Sequence, residues 1–352
     1  MLKMGLIGCG GIAFDKFLPE YARLADQVEL YAAAEVNPAA LERAGREYNI
    51  PRLFDDYRRL LDLPELDFVA VALPNFLHAP VSIEALKHGK HVHCEKPMAD
   101  SLAAARDMVK AAEAGGKTLM IGLNNRFLPQ SRYVKQLALE GFFGDIYHMD
   151  AFWRRPAGLP SVPWFLDRKL SGGGCLMDIG VHMLDLSLFL SDFTGVSQVS
   201  ASCFRKFVGE PNRAAFTYGT VEIPGGKTMD CEDMVSAYVK FAGGRSLSFL
   251  CSWSSFAEDE RAGYELYGTK GGAKYLKFPG KQPELTLFTL AGGRQVSLTP
   301  RFDPVVFDPS EFTSFVSAVQ TGAVPPIADP SNCLRAMELM DAIYQSAGGT
   351  GP

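Results

Sequence analysis

The sequence lacks the features of several common protein classes. It has no run of lysines and arginines, and its formal net charge of −5 argues against a broad nucleic-acid-binding face. Its apolar runs are strands and helix faces, shorter than the roughly 20 residues of a membrane span. The N-terminus opens into a strand-like segment, LKMGLIG, without a cationic leader or cleavage site. These absences favour a soluble protein that acts on neither nucleic acid nor membrane.

Cysteine and histidine patterns predict no metal site. The seven cysteines form no Cys-x-x-Cys pair, and the six histidines show no zinc-type spacing with them. His91 and His93 alternate along a strand and share a face, but a third ligand is not evident. We therefore expect no bound metal, and free thiols in a reducing cytoplasm.

Length and patterning predict an α/β protein of two domains. The 352 residues suffice for two cores. Residues 1–122 alternate apolar strands with amphipathic helices, which predicts a Rossmann domain with a doubly wound parallel sheet. From about Asp145, alternating strands separated by glycine and proline turns predict a large, mostly antiparallel open sheet in an α+β domain over 123–352.

A glycine turn follows the first strand. The segment GLIGCGGIAF sets Gly8, Gly10 and Ala13 in a Gly-x-Gly-x-x-Ala arrangement before a predicted helix. Gly10 would let a pyrophosphate approach the helix N-terminus, whose N–H groups and dipole favour an anion. An ordinary strand-to-helix turn is the alternative. The motif predicts a dinucleotide site that includes Gly11 and Ile12.

An acid at the end of the second strand favours NAD. Glu35 lies 27 residues beyond Gly8, somewhat more than the ~20 of the dinucleotide fingerprint. Its carboxylate could accept hydrogen bonds from the ribose hydroxyls and would repel a 2′-phosphate. A solvated strand-end glutamate is the alternative, and Asn37 could soften the discrimination. We expect NAD, with NADP as the less favoured cofactor.

Four segments together resemble the Gfo/Idh/MocA oxidoreductases, a family named for glucose–fructose oxidoreductase and inositol dehydrogenase. They are GLIGCGGIA, LPNFLHAP, HVHCEKPMA and SGGGCLMDIGVHMLD. Glu-Lys-Pro after a Rossmann strand, then Asp-x-Gly-x-His about 80 residues on, is the specific pair. The resemblance covers nearly the whole chain. It implies a second domain that binds sugars, cyclitols or related polyols and forms dimers or tetramers.

The resemblance gives Lys96 a catalytic role. The family lysine matching Lys96 lies beside the nicotinamide and binds or protonates the reacting oxygen. Glu95 would temper the local charge, and a cis peptide bond is expected before Pro97. The alternative is a solvated lysine that begins a loop.

The second block supplies Asp178, His182 and Asp185. In a helix, Asp178 and His182 would share a face, and a carboxylate beside an imidazole can orient the ring and raise its basicity. The resemblance implies that both contact the sugar hydroxyls, with His182 as general base. An N-capping aspartate and a structural histidine are the alternative. We expect Asp185 to be structural.

The resemblance implies further, weaker candidates. Pro74, Asn75 and His78 match a loop near the cofactor, although asparagine also suits a plain turn. Arg126 lies in the segment GLNNRF, which resembles a family segment near the nicotinamide. It would bind substrate or serve as a domain-interface cation.

The segment FWRRPAGLPSVPWF is expected to border the substrate pocket. Trp153 or Trp164 would stack on an apolar sugar face, with burial in the core as the alternative for each. Arg154 and Arg155 would bind an anionic substituent or be solvated.

Together these features predict an NAD(H)-dependent oxidoreductase that transfers a hydride between nicotinamide and a hydroxyl or carbonyl of a sugar, cyclitol or related polyol. A redox-neutral sugar-processing enzyme with tightly held NAD and a non-catalytic dinucleotide sensor are the alternatives; the intact set of Lys96, Asp178 and His182 argues against the sensor. Strands SLSFLCSW and GYELYGT carry apolar residues on both alternations, which favours burial of both sheet faces in a homodimer or homotetramer.

Overall fold

The structure is a computed structural model that describes residues 1–160, 162–207, 230–302 and 310–348. It divides into two compact units. Unit 1 comprises Met1–Leu123 and the described part of 308–334, and unit 2 comprises the described parts of 124–307 and 335–352.

The strands within the described ranges are β1 (Leu2–Ile7), β2 (Val28–Ala34), β3 (Arg52–Phe54), β4 (Phe68–Val71), β5 (His91–Cys94), β6 (Leu119–Ile121), β7 (Ile146–Arg154), β8 (Val196–Phe204), β9 (Met234–Phe241), β10 (Ser246–Ser252), β11 (Arg261–Gly268), β12 (Gly271–Lys277), β13 (Glu284–Ala291) and β14 (Arg294–Leu298).

The α-helices within the same ranges are α1 (Leu18–Ala22), α2 (Pro38–Tyr48), α3 (Tyr57–Leu61), α4 (Asn75–Lys87), α5 (Leu102–Gly115), α6 (Pro129–Leu139), α7 (Arg168–Ser171), α8 (Val181–Ser191), α9 (Glu311–Thr321) and α10 (Pro330–Ser346). Two π-helical turns, Ala13–Phe17 and Leu176–Gly180, lead into α1 and α8.

Unit 1 contains a six-stranded sheet in the order β3-β2-β1-β4-β5-β6, with every pair parallel. This is the doubly wound order of a Rossmann domain, as predicted. Strand β4 is buried at every position, which explains its unbroken apolar sequence. Its carboxyl end and that of β5 lie at the edge of the sheet where ligands bind in such folds.

The C-terminal segment 310–334 belongs to unit 1, whereas the sequence predicts a single second domain over 123–352. Helix α9 explains the difference, because its aromatic side chains complete the core of unit 1. The Phe312 ring lies 5.0 Å from that of Tyr21, and the Phe315 ring lies 5.2 Å from that of Phe68. The bounds of the functional domains remain a prediction.

Unit 2 contains an eight-stranded sheet in the order β14-β13-β12-β11-β7-β10-β9-β8. All of its pairs are antiparallel except β7 with β10, so the predicted mostly antiparallel sheet is confirmed. Strand β9 alternates buried and exposed residues, which gives the sheet an inner and an outer face. Helix α8 packs on the inner face, against β7 and β11.

The helical stretch that ends with α8 is apolar enough to resemble a membrane span. An 18-residue window within Arg168–Ser191 has a mean hydropathy of 1.4, but 89% of that window is buried within the protein. A helix that is apolar all round is also what a core position requires. The composition of α8 therefore reflects its place in the core of unit 2.

Candidate active site

The glycine turn of unit 1 leaves open space where a ligand would approach. Gly8 has φ +94°, and a side chain there would come within 2.4 Å of the Ala72 carbonyl oxygen, so only glycine fits. Side chains at Gly10 and Gly11 would meet no described heavy atom within 4 Å. The fold itself does not require these two glycines. A pyrophosphate at the turn would require them, so the residues present fit NAD.

Glu35 is held at the rim of this turn. Its Oε2 accepts a hydrogen bond from the Cys9 amide at 2.8 Å, and its Oε1 accepts one from the Asn37 amide at 2.8 Å. Burial and the nearby Glu35 charge raise the pKa of Cys9 to about 12, so that thiol stays neutral. Glu35 is thus a fixed carboxylate next to the glycine turn rather than a freely solvated strand end.

The Glu-Lys-Pro segment follows β5 directly. The peptide bond between Lys96 and Pro97 is cis, as expected, and the Lys96 side chain is half-buried. Glu95 has a second cation beside it, because its Oε2 lies 3.0 Å from the Nζ of Lys16; its predicted effect on the charge of Lys96 stays a prediction. The sequence offered no sign of this partner, which lies 79 residues earlier.

Lys16 belongs to a buried polar network under the Glu-Lys-Pro segment. Its ammonium also pairs with Glu311 at 3.1 Å. The His93 ring bridges Glu311, at 2.8 Å, and the Tyr21 hydroxyl, at 2.7 Å. Burial alone would raise the pKa of Glu311, but Lys16 and His93 outweigh it and the pKa is lowered. The ionised Glu311 therefore stabilises unit 1 at neutral pH.

We predict that Glu311→Gln destabilises the protein in a pH-dependent manner. The folded pKa of Glu311 lies below its ordinary value of 4.5, so its contribution to stability is complete well above that ordinary value and is lost as pH falls below it and through the folded pKa. Losing one partner of a buried ion pair costs about 3–5 kcal/mol. Urea unfolding at several pH values measures the difference. The exposed Glu47→Gln control should cost less than about 0.5 kcal/mol, and a pH-independent Glu311 effect would contradict the assignment.

Pro74, Asn75 and His78 lie at the start of α4. Pro74 precedes the first helical residue, Asn75, which is buried. The two ring nitrogens of His78 lie 2.7 Å from the carbonyl oxygens of Leu73 and Pro97. His78 is 1% exposed and braces the Glu-Lys-Pro segment through its contact with Pro97; its predicted place at the cofactor stays a prediction.

Asp178 and His182 lie where a π-helical turn becomes α8. Asp178 is half-buried, and its Oδ2 accepts a hydrogen bond from the Trp253 indole at 2.8 Å. His182 is 8% exposed, and its ring lies 5.6 Å from the Trp153 ring. Wide helical turns of this kind occur frequently at functional sites. Trp253 was not among the residues predicted from sequence.

A buried carboxylate holds the start of this helix. Glu232 accepts hydrogen bonds from the amides of Gly174, at 2.9 Å, and Leu176, at 3.1 Å, and from the Tyr344 hydroxyl at 2.9 Å. A side chain at Gly174 would collide with the Glu232 carbonyl oxygen at 1.9 Å. The glycine run before Asp178 is therefore a packing requirement. Sequence reasoning missed Glu232 because its partners lie 56 to 112 residues away.

We predict that Tyr344→Phe destabilises the protein by about 1–3 kcal/mol, because the buried Glu232 oxygen loses a hydrogen bond and cannot reach water instead. Tyr275→Phe is the matched control: its hydroxyl is buried and has no hydrogen-bond partner among the described residues, so its loss should be neutral or stabilising. Urea unfolding followed by tryptophan fluorescence compares the two. Equal costs would contradict the role assigned to Glu232.

Arg126 is buried in an ion pair. Its guanidinium is 2% exposed and makes a two-point ion pair with Asp185 of α8, with Nε 2.7 Å from Oδ2. This ion pair engages one edge of the guanidinium, and the substrate contact of Arg126 stays a prediction. Asp185 has the structural position that the sequence predicted.

The aromatic candidates have different surroundings. The half-buried Trp164 stacks on Phe165 with ring centroids 3.9 Å apart. Trp153, at the end of β7, donates from Nε1 to Glu260 at 3.0 Å, and Arg155 donates to the same oxygen at 3.0 Å. Trp153 is thus the tryptophan that lies next to His182.

Within the described ranges, no group of three or more histidine, cysteine, aspartate or glutamate side chains could hold a metal ion. The described cysteines are free thiols.

The two units define a class of protein, a Rossmann-fold oxidoreductase with a second domain built on a large sheet. A family model described as "Oxidoreductase family, NAD-binding Rossmann fold" matches residues 2–123, and one described as "GFO/IDH/MocA C-terminal domain" matches residues 131–274. The chain belongs to the Gfo/Idh/MocA oxidoreductases, and its Rossmann domain binds NAD. The predicted family, fold, cofactor and enzyme class are confirmed.

Several named relatives are sugar dehydrogenases. The chain is 29% identical to D-glucoside 3-dehydrogenase of Escherichia coli, over 98% of this chain and 95% of the relative. It is 29% identical to D-xylose 1-dehydrogenase (NADP(+)) 2 of Haloferax volcanii, over 98% and 97%. The fold matches levoglucosan dehydrogenase in complex with NADH and levoglucosan, with TM-score 0.84, 22% identity and coverage of 99% and 97%.

Proposed function

We propose that this protein is an NAD(H)-dependent dehydrogenase of a sugar, cyclitol or related polyol, with Lys96, Asp178 and His182 as its catalytic residues. The observation that carries the proposal is that each motif lies on an element built to present it. Lys96 follows a parallel strand at the ligand-binding edge of unit 1, and Asp178 and His182 lie on a helix start fixed by Glu232. The named relatives support the substrate class.

In this proposal NAD supplies the redox chemistry when bound, and the chain supplies positioning and proton transfer. His182 accepts the proton of the reacting hydroxyl, and Lys96 stabilises the oxygen with a charge-assisted hydrogen bond. Asp178, oriented by the Trp253 indole, positions a substrate hydroxyl. Gly8, Gly10, Gly11 and Ile12 would form the pyrophosphate turn.

We predict that Lys96→Ala and His182→Ala each lower kcat by about 10²–10⁴-fold while NAD affinity stays within a few-fold of the parent. The double variant should lose less than the product of the two single losses if both serve one proton path. A screen of sugars and cyclitols by NADH absorbance provides the substrate. The exposed Lys87→Ala is the matched control, and a Lys96→Ala protein with parental turnover would exclude the lysine from the chemistry.

The same screen distinguishes a dehydrogenase from the redox-neutral sugar-processing enzyme with tightly held NAD. Stoichiometric copurification of NAD and substrate conversion without net NADH would favour that reading over a dehydrogenase.

We predict a preference for NAD over NADP, set by Glu35. Its carboxylate is already held at the glycine turn, where it would accept from ribose hydroxyls and repel a 2′-phosphate. Glu35→Ser should raise the ratio of kcat/KM with NADP to that with NAD, and Glu42→Ser on the exposed side of α2 should not. The Haloferax relative is named for NADP, which shows that cofactor choice has to be measured for this protein. Equal or better catalytic efficiency of the parent with NADP would refute the assignment.

We further propose a homodimer or homotetramer that covers the outer face of the eight-stranded sheet. Aromatic side chains lie on this face: the His148 ring is 6.5 Å from Tyr238 and 5.7 Å from Tyr267. A depression of about 580 Å³ beside them includes Phe152 and Leu250. The lining also includes polar residues such as Asp150 and Ser248, and a surface that combines aromatic with polar side chains is typical of protein–protein interfaces.

We predict a dimer or tetramer at micromolar concentration by light scattering. Tyr238→Glu places a charge on the outer face and should shift the protein towards the monomer. Phe256→Glu is the control, because Phe256 is 90% exposed but lies outside the sheet. A monomeric parent protein would contradict the proposal.

A cytoplasmic location is proposed from the free thiols of the described residues, which a reducing compartment would preserve.

A further inference from the structure

Lys277 extends towards the indole that also contacts His182. It is the last residue of β12 and pairs with Ala262 of β11, which in turn pairs with Trp153 of β7. The three side chains therefore form one row on the inner face of the sheet. Because alanine is short, the lysine can cross it, and the Lys277 ammonium lies 5.8 Å from the Trp153 ring centroid.

No carboxylate among the described residues pairs with Lys277. Glu260 is near enough to act on its charge, but the Glu260 oxygen already accepts from the Trp153 indole and from Arg155. Burial lowers the pKa of Lys277, and Glu260 opposes that shift. Lys274, on the same strand, shows the ordinary arrangement: its side chain is 43% exposed and pairs with Glu265 at 3.4 Å.

A half-buried ammonium without a counter-ion is an unusual feature to place near a candidate catalytic histidine. Its three N–H donors suit a compact group of anionic oxygens. The Trp153 face offers an apolar surface on which a sugar ring can stack. The charge of the nearby Glu260 is offset by Arg155, whose Nε lies 3.0 Å from the Glu260 carboxylate.

We propose that Lys277 is a specificity residue that binds an anionic substituent, a carboxylate or a phosphate, on the sugar whose hydroxyl reacts at His182. This inference rests on the proposed function, because it assumes that the substrate lies against Trp153. It narrows the substrate class from sugars in general to acidic sugars.

The test is calorimetric binding to the NADH-loaded protein with two matched pairs of probes. Methyl β-D-glucuronide is compared with methyl β-D-glucoside, and glucose 6-phosphate with glucose. The parent should bind the acidic member of at least one pair about 10- to 100-fold more tightly, the range expected for a charge-assisted hydrogen bond. The preferred pair distinguishes a carboxylate from a phosphate.

Lys277→Met should bring that ratio close to one, and Lys277→Arg should retain part of it. Lys274→Met is the matched control on the same strand and should leave the ratio unchanged. Equal binding of acidic and neutral probes by the parent would overturn the inference, as would an acidic preference that survives in Lys277→Met. Binding is measured without turnover, so a Lys277-dependent ratio in a protein that oxidises no sugar would refute the proposed function alone.

Discussion

The arrangement of unit 2 depends on one buried carboxylate. Glu232 accepts from two amides at the start of the helix that carries Asp178 and His182, and from a hydroxyl of α10. The first amides of a helix have no partner within it, and a buried ionised group is costly unless it is fully hydrogen-bonded. Here the unpartnered amides donate to the buried Glu232 carboxylate, so both groups gain the hydrogen bonds that they need. The position of the two candidate catalytic side chains follows from where Glu232 lies.

Unit 1 uses the same principle with a cation at its centre. Lys16 pairs with Glu95, the neighbour of Lys96, and with Glu311 of α9. Gly122 is essential to this approach, because a side chain there would come within 2.7 Å of the Glu95 carboxylate. The network thus joins the helix after the glycine turn, the Glu-Lys-Pro segment and a segment from near the end of the chain. Breaking it would disturb the backbone from which Lys96 extends.

Local patterns predicted much of this structure. The periodicities gave the parallel sheet of the first 122 residues and the mostly antiparallel sheet that follows, and the motifs placed Gly8, Glu35 and Lys96 at strand ends. The three-residue strand β3 was missed because it is too short to have a pattern of its own. The return of α9 to unit 1 was missed because it is a long-range packing relation. The sequence did not reveal the ionic partners of Arg126 and Glu95, which are Asp185 and Lys16. Such pairs depend on tertiary proximity over many residues, which one sequence does not reveal. Glu232, Trp253 and Lys277 were missed for the same reason.

The central claim is that these supports serve hydride transfer between a sugar carbon and NAD. Its most direct test is mass spectrometry of the nicotinamide after turnover with uniformly deuterated methyl glycosides and cyclitols. We predict one deuterium on the reduced nicotinamide of released NADH, with a slower rate than for the unlabelled substrate. Conversion of the substrate with no deuterium on the nicotinamide at any time would contradict the account.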